Sequence, residues 1–272
     1  MCTIIDELKE RHRWREDYLS AETSMTQRIR SICYRLTVGD KTQADELYKA
    51  LGTGENPLDR IAFGATMDLM TARKQLELRR KKEEKRLIAL VNQLPVNHFV
   101  ESICGLGQLG VAQILGEAGD IDNYANPAKL WKRFGLAVIG TERQRRVKGP
   151  AAIEHGYSPR RRAIMYSIGD SLLKKQNQYR DLYLQRLSIE HQKALDEGLI
   201  PVTVTSATVK SWQQRGLPPL TKVTDKKLNP DQNRTAMHLH RRAQRYIEKR
   251  LLRDLWNFWR GASIDVQTDH AA

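Results

Sequence analysis

Residues 103–115 read ICGLGQLGVAQIL, with Gly105, Gly107 and Gly110 set among apolar side chains. A glycine–hydrophobic–glycine turn between two short apolar runs is the pattern of a helix-hairpin-helix. "NHFVESI" before it and "VAQILGEAG" after it predict the two helices, and glycine supplies turn angles barred to other residues. Leu106 is expected to point inward and pin the turn. The glycines leave amide N–H groups uncovered at the start of the second helix, where the helix dipole favours an anion. Gly105, Leu106, Gly107 and Gln108 are therefore candidate contacts to a phosphate, of the kind that position a backbone without reading its sequence. The competing reading is a tight helix–helix turn with no ligand.

Upstream, the chain reads as helix. Residues 4–37 are rich in Glu, Arg, Leu and Met and hold no proline. Asp40 is placed to cap a short helix ending at Gly52. "GTGENP" is a turn cluster, and Pro57 suits the first turn of the next helix, about 57–93. In that helix Leu69, Leu76 and Leu90 fall on a seven-residue repeat that Glu83 interrupts, with Leu87 and Leu94 on a neighbouring seam. This predicts a coiled-coil-like arm, against the alternative of a long surface helix on the protein's own core. Pro95 ends it.

Downstream, "NPAKLWKRFG" predicts a helix with Pro127 at its start and Gly135 as its C-cap. Residues 137–158 read as basic and irregular. Residues 159–197 form one long amphipathic pattern, and "LIPVTVTSATV" is a short β-rich run before a loop rich in Pro, Lys and Asn. A last helix covers about 234–260. The expectation is a mainly α protein with a small β-rich insertion near 199–210. Its parts are a helical arm over 1–94, a helix-hairpin-helix domain over 95–260 and a flexible tail over 261–272.

Net charge is the loudest bulk signal, at +14. So basic a chain implies a polyanionic partner, and two segments concentrate the charge. "GTERQRRVKGPAAIEHGYSPRRRAIMY" carries Arg143, Arg145, Arg146, Lys148, Arg160, Arg161 and Arg162, with Tyr157 and Tyr166 interleaved; the last helix adds Arg241, Arg242 and Arg245. Guanidinium groups pair bidentately with phosphate, and ordinary solvation is the alternative. The turn at 105–107 and the arginines of 143–162 are expected to share one face.

Other chemistries are excluded by spacing. His238 and His240 lack a third metal ligand, Cys2, Cys33 and Cys104 form neither a zinc knuckle nor a disulfide framework, and no phosphate-binding loop of the G-x-x-x-x-G-K-[ST] type occurs. No metal and no cofactor is expected. With no apolar run long enough to span a bilayer and no signal-peptide core, the chain reads as cytoplasmic.

"SICGLGQLGVAQILGEAGDIDNYANPAKLWKRFGLAVIG" resembles the C-terminal domain of RuvC-like DEDD-class bacterial insertion-sequence transposases, the bridge-RNA-guided recombinase family. Gly105, Leu106 and Gly107 stand at that family's hairpin, Glu117-Ala118-Gly119-Asp120 at its acidic step, and "KLWKRFGL" at its next helix. "HGYSPRRRAIMYSIGDSLL" and "RRAQRYIEKRLLRDLWNFW" are similar to its later helices, so the likeness runs over roughly 96–260. No counterpart of the family's N-terminal RuvC-like domain is found. Where the family places its nucleophilic serine this chain reads "AVIGTERQRR", leaving Thr141 as the nearest hydroxyl; Ser158 and Ser167 match no catalytic position.

The resemblance implies a transposase-like DNA-binding protein of a mobile element or prophage, truncated or repurposed. DNA is the expected partner, with structured RNA the second candidate. A homodimer or higher oligomer is expected through residues 57–94. One alternative is an active recombinase working with a separate nuclease domain, with Thr141 or Ser158 as its nucleophile; another is a protein-interaction scaffold that binds no nucleic acid.

Overall fold

A computed structural model describes residues 2–53 and 60–261, and these are 71% helix and 5% strand. The turn residues 54–59, including Pro57, and the tail from 262 lie outside the described residues. The chain divides into two compact units: residues 1–94 with 115–119, and residues 95–114 with 120–272.

The first unit holds α1 (Cys2–Leu36), α2 (Lys41–Thr53) and α3 (Arg60–Val91). Helices α1 and α3 run antiparallel, since Arg11 pairs with Glu83 at 3.1 Å, Arg15 with Glu84 at 3.0 Å and Glu22 with Arg80 at 2.8 Å. Ile5, Leu8, Leu87, Leu90, Val91 and Leu94 are buried, and at the other end Ile29, Cys33, Leu51 and Met70 form a core flanked by Leu69. The segment expected as a coiled-coil-like arm is therefore one half of a pair made within the chain. Of the leucines on the repeat and its neighbouring seam, Leu87, Leu90 and Leu94 are buried within the unit and Leu69 and Leu76 are half-buried. Glu83, the break in the heptads, is buried beside Arg11 and Arg86 and so serves that pairing.

Asp40 caps α2 as its position predicts, accepting from the amides of Thr42 and Gln43. Between α1 and α2, Val38 takes φ +51° with its side chain 95% exposed. At the other edge of the unit, His12 Nε2 lies 3.3 Å from Glu117 Oε1, both buried.

The second unit is built around its last helix. It comprises α4 (Val96–Glu101), most of α5 (Gln108–Ala118), α6 (Pro127–Arg133), α7 (Ala151–His155), α8 (Pro159–Leu173), α9 (Gln178–Asp196), α10 (Ser206–Gln214) and α11 (Ala236–Trp259). Leu239, Ala243, Ile247, Leu251 and Leu255 recur every fourth residue of α11 and are all buried, a core stripe at helical spacing. Against α11 pack α6, α8 and α9, with Leu130, Met165, Ile168, Leu172, Tyr179 and Leu187 fully or almost fully buried. Tyr179 donates to Asp254 Oδ2 at 3.0 Å; burial, then that carboxylate, pushes its phenol well above the ordinary range.

The long amphipathic pattern over 159–197 is two helices, not one. Asn177 divides it: its Oδ1 accepts from the Arg180 amide to cap α9, and its Nδ2 donates to the carbonyls of Leu172 and Cys104. Residues 137–158, expected as irregular, hold a hairpin of β1 (Val138–Ile139) and β2 (Glu142–Arg143) followed by α7. The β-rich run splits into β3 (Ile200–Thr203) and α10. β3 is the centre of a parallel sheet between β4 (Thr221–Lys222) and β5 (Asn233–Thr235).

Candidate nucleic-acid interface

The glycine turn forms between α4 and α5 with Leu106 buried beneath it. Gly105 has φ +95°, and a Cβ there would stand 3.1 Å from the Ser171 carbonyl and 3.0 Å from Lys175 Cγ. The turn is thus seated on the C-terminal end of α8, tied down by Asn177. Gly107 is exposed with open space around it, and Gln108 begins α5 half-buried.

Arg160, Arg161 and Arg162 occupy the opposite end of α8. Ser158 caps that end through the Arg161 amide, so its hydroxyl has a structural task. Arg162 and Ser171 are separated by roughly 14 Å of helix at 1.5 Å per residue. The glycine turn and Arg160, Arg161 and Arg162 therefore lie at the two ends of α8.

The arginines instead gather with α11. Gln144, buried in the basic loop, fixes that loop by accepting from the Ala137 amide and donating to the carbonyls of Lys132 and His155. His155 Nδ1 in turn accepts from the Arg145 amide. Gly135, at φ +71°, lets the Tyr157 ring lie 3.0 Å from where a Cβ would be. On the next layer α8 meets α11 at Gly169, where a Cβ would stand 3.0 Å from both Gln244 Nε2 and Glu248 Oε1. That close approach brings Arg162 Nη1 to 2.7 Å from Glu248 Oε2, and Arg241 over the Tyr166 ring at 4.1 Å from its centroid.

Glu248 is the pivot. It is 0% exposed, and neither oxygen is in hydrogen-bond geometry despite the Arg162 ion pair. Burial pushes its carboxyl up to about 7, against the opposing pull of Arg162, Arg245 and Arg241. Arg245 is lowered to about 10 by burial and then by the charges of Arg143 and Arg162, with Glu248 and Tyr157 acting the other way. Its Nε is buried without a partner. Three guanidinium groups from α8 and α11 thus face one carboxylate that is reluctant to ionise, and Arg143 of β2 adds its charge at Arg245. An excess of positive charge is locked in place here before any ligand arrives.

Other expected contacts go elsewhere. Arg242 Nε lies 2.6 Å from Glu190, which is buried and also paired with Arg186 at 2.7 Å, so Arg242 is committed inside the unit. Arg145 pairs at the surface with Glu142, while Arg146 and Lys148 are exposed. Thr141 is exposed at the tip of the β1–β2 hairpin. His238 and His240 diverge: the first is exposed, the second is bonded to the Tyr183 hydroxyl at 2.8 Å. Among the described residues no group of three or more His, Cys, Asp or Glu could hold a metal ion, and no helix is long and apolar enough to cross a membrane.

Sequence reasoning missed Glu248, Glu190, Gln144 and Gly169. For Glu248 a signal existed: Arg241, Gln244, Arg245 and Glu248 follow i, i+3, i+4, i+7 and so share one helical face. No family model, curated protein or solved structure matches the chain.

Proposed function

We propose that the chain binds a nucleic-acid backbone through the arginine cluster on α11, as a transposase-type protein of a mobile element or prophage. The observation that carries this reading is the gathering of Arg162, Arg241 and Arg245 around Glu248, with Arg143 beside Arg245. Burial lowers Arg245 most, the like charges of Arg143 and Arg162 lower it further, and a phosphate would relieve that second cost. The planar fork of arginine matches phosphate oxygens, and Tyr166 beneath Arg241 holds one fork in a fixed plane. The glycine turn lies roughly 14 Å away along α8, about four base-pair steps of 3.4 Å, so one duplex can touch both.

The test is an electrophoretic shift series over a range of salt, with duplex DNA, single-stranded DNA and structured RNA. Affinity should fall linearly on a log–log plot, and Arg143→Ala with Arg241→Ala should flatten the duplex slope by about 0.9 for each phosphate no longer neutralised. Arg13→Ala, an exposed change in the first unit, should leave the slope alone. Binding that ignores salt, or a slope that Arg143→Ala and Arg241→Ala leave unchanged, would overturn the proposal.

A further inference from the structure

A cavity of about 720 Å³ opens in the second unit, away from the arginine cluster's carboxylate. It lies at the carboxyl ends of three parallel strands: β3 runs out through Val204 and Thr205 into α10, β5 leads directly into α11, and Asp225 follows β4. Parallel sheets take ligands in this position because the helices that follow the strands aim their first amides there. The size falls within the range of about 300–1,000 Å³ found for small-molecule sites.

The walls carry both polar and aromatic chemistry. Thr208, Ser211, Trp212 and Arg215 line the cavity and follow i, i+3, i+4, i+7, so α10 turns one face to it. Thr205, the N-cap of α10, makes no capping hydrogen bond; its hydroxyl is held by that of Thr208 at 2.6 Å. The first amides of α10 are left without a side-chain acceptor. Trp212 is only 6% exposed, and its indole N–H has no partner. Across from it stand Tyr183 and His240, edge to face at 5.6 Å between ring centroids. The charge of Arg215 is felt at both Tyr183 and His240, which places its guanidinium near those rings.

The geometry points to a nucleotide site, for base and phosphate together. The uncapped amides at the start of α10 and the guanidinium of Arg215 at its other end are two anion donors, as the phosphates flanking one nucleotide require. Trp212, Tyr183 and His240 line the cavity and give it an aromatic wall for a base. The same chemistry fits a free nucleotide or one unstacked residue of a single strand. The site shares α11 with the arginine cluster but does not depend on it.

Calorimetric titration of the full chain with adenosine 3′,5′-bisphosphate tests this, with adenosine and inorganic phosphate as separate probes. Saturable one-to-one binding is expected, weakened at least about tenfold by removing the phosphates or by Arg215→Ala, a change at an exposed position. Ser211→Phe should obstruct the α10 wall of the cavity and weaken binding while circular dichroism stays unchanged. Arg143→Ala should leave the bisphosphate affinity intact, which separates failure here from failure of the backbone-binding proposal. Competition by a short single-stranded oligonucleotide identifies a strand residue as the ligand; bisphosphate binding without competition identifies the free nucleotide. No heat at millimolar bisphosphate, or an affinity indifferent to Arg215→Ala, would overturn the inference.

Discussion

Replacing Glu248 with glutamine keeps the side chain's shape and removes its proton equilibrium. In the folded chain burial raises this carboxyl from 4.5 to about 7, while Arg162 on α8, Arg241 and Arg245 on α11 pull it back. Beyond them Arg143 and Tyr157 face Arg245. Between those two pH values the folded state holds a proton that the unfolded chain has released, so raising the pH favours unfolding. The contribution is complete below 4.5 and lost above about 7. At about 1.36 kcal/mol per pH step its size is on the order of 3 kcal/mol, undiminished by solvent because the group is fully buried. Urea unfolding of wild type and Glu248→Gln, from about pH 5 to about pH 8, should show the wild type losing about 2.5 kcal/mol relative to the variant and then running parallel to it. Every other titrating group cancels in that difference. A gap that stays constant over the whole range would mean that Glu248 is ionised throughout, and the picture of a reluctant carboxylate would be wrong.

Gly116→Ala should destabilise the first unit by about 1–2 kcal/mol, because the new Cβ would stand 2.5 Å from His12 Cβ, an atom fixed to its own helix backbone; urea midpoints read this directly. Val38→Gly should stabilise by about 0.5–1 kcal/mol, since a β-branched residue at φ +51° is strained and its exposed side chain contributes little packing; a rise in melting temperature checks it. If a phosphate binds among the arginines it competes with Glu248 for Arg162, so binding takes up a proton and affinity rises as pH falls through about 7. The change is at most about tenfold per pH step, is absent in Glu248→Gln, and is measurable by fluorescence anisotropy at fixed salt.

Local features were legible in the sequence. The turn at 105–107, Asp40 as a cap, Pro127 at the start of α6 and Gly135 after it each depend on a few neighbouring residues, so propensity and capping chemistry suffice. What failed to show was decided by distant partners. Asn177 reads as one more polar residue on a helix until the carbonyls of Leu172 and Cys104 are seen to claim its amide. "TSATVK" has the β-branched content of a strand, yet it opens α10 from Ser206, and the strands beside β3 come from residues 221–222 and 233–235. Glu83 reads as a flaw in a repeat because Arg11, its partner, lies in another helix.

The same blindness to distant partners hid the chemistry of the basic segments. A run of arginines reads identically whether its charges are spent or free, and the buried acids decide which. Glu190 takes one cation at each oxygen, Arg186 within α9 and Arg242 from α11, and the second of these holds α9 to α11. Glu248 has one ion pair at 2.7 Å for three surrounding guanidinium groups, and burial makes even that partner resist ionisation. One acid therefore closes a structural bridge while the other leaves a surplus. Gly169 sits at that meeting point, because any larger residue there would press on the side-chain ends of Gln244 and Glu248 and shift the carboxylate that Arg162 faces.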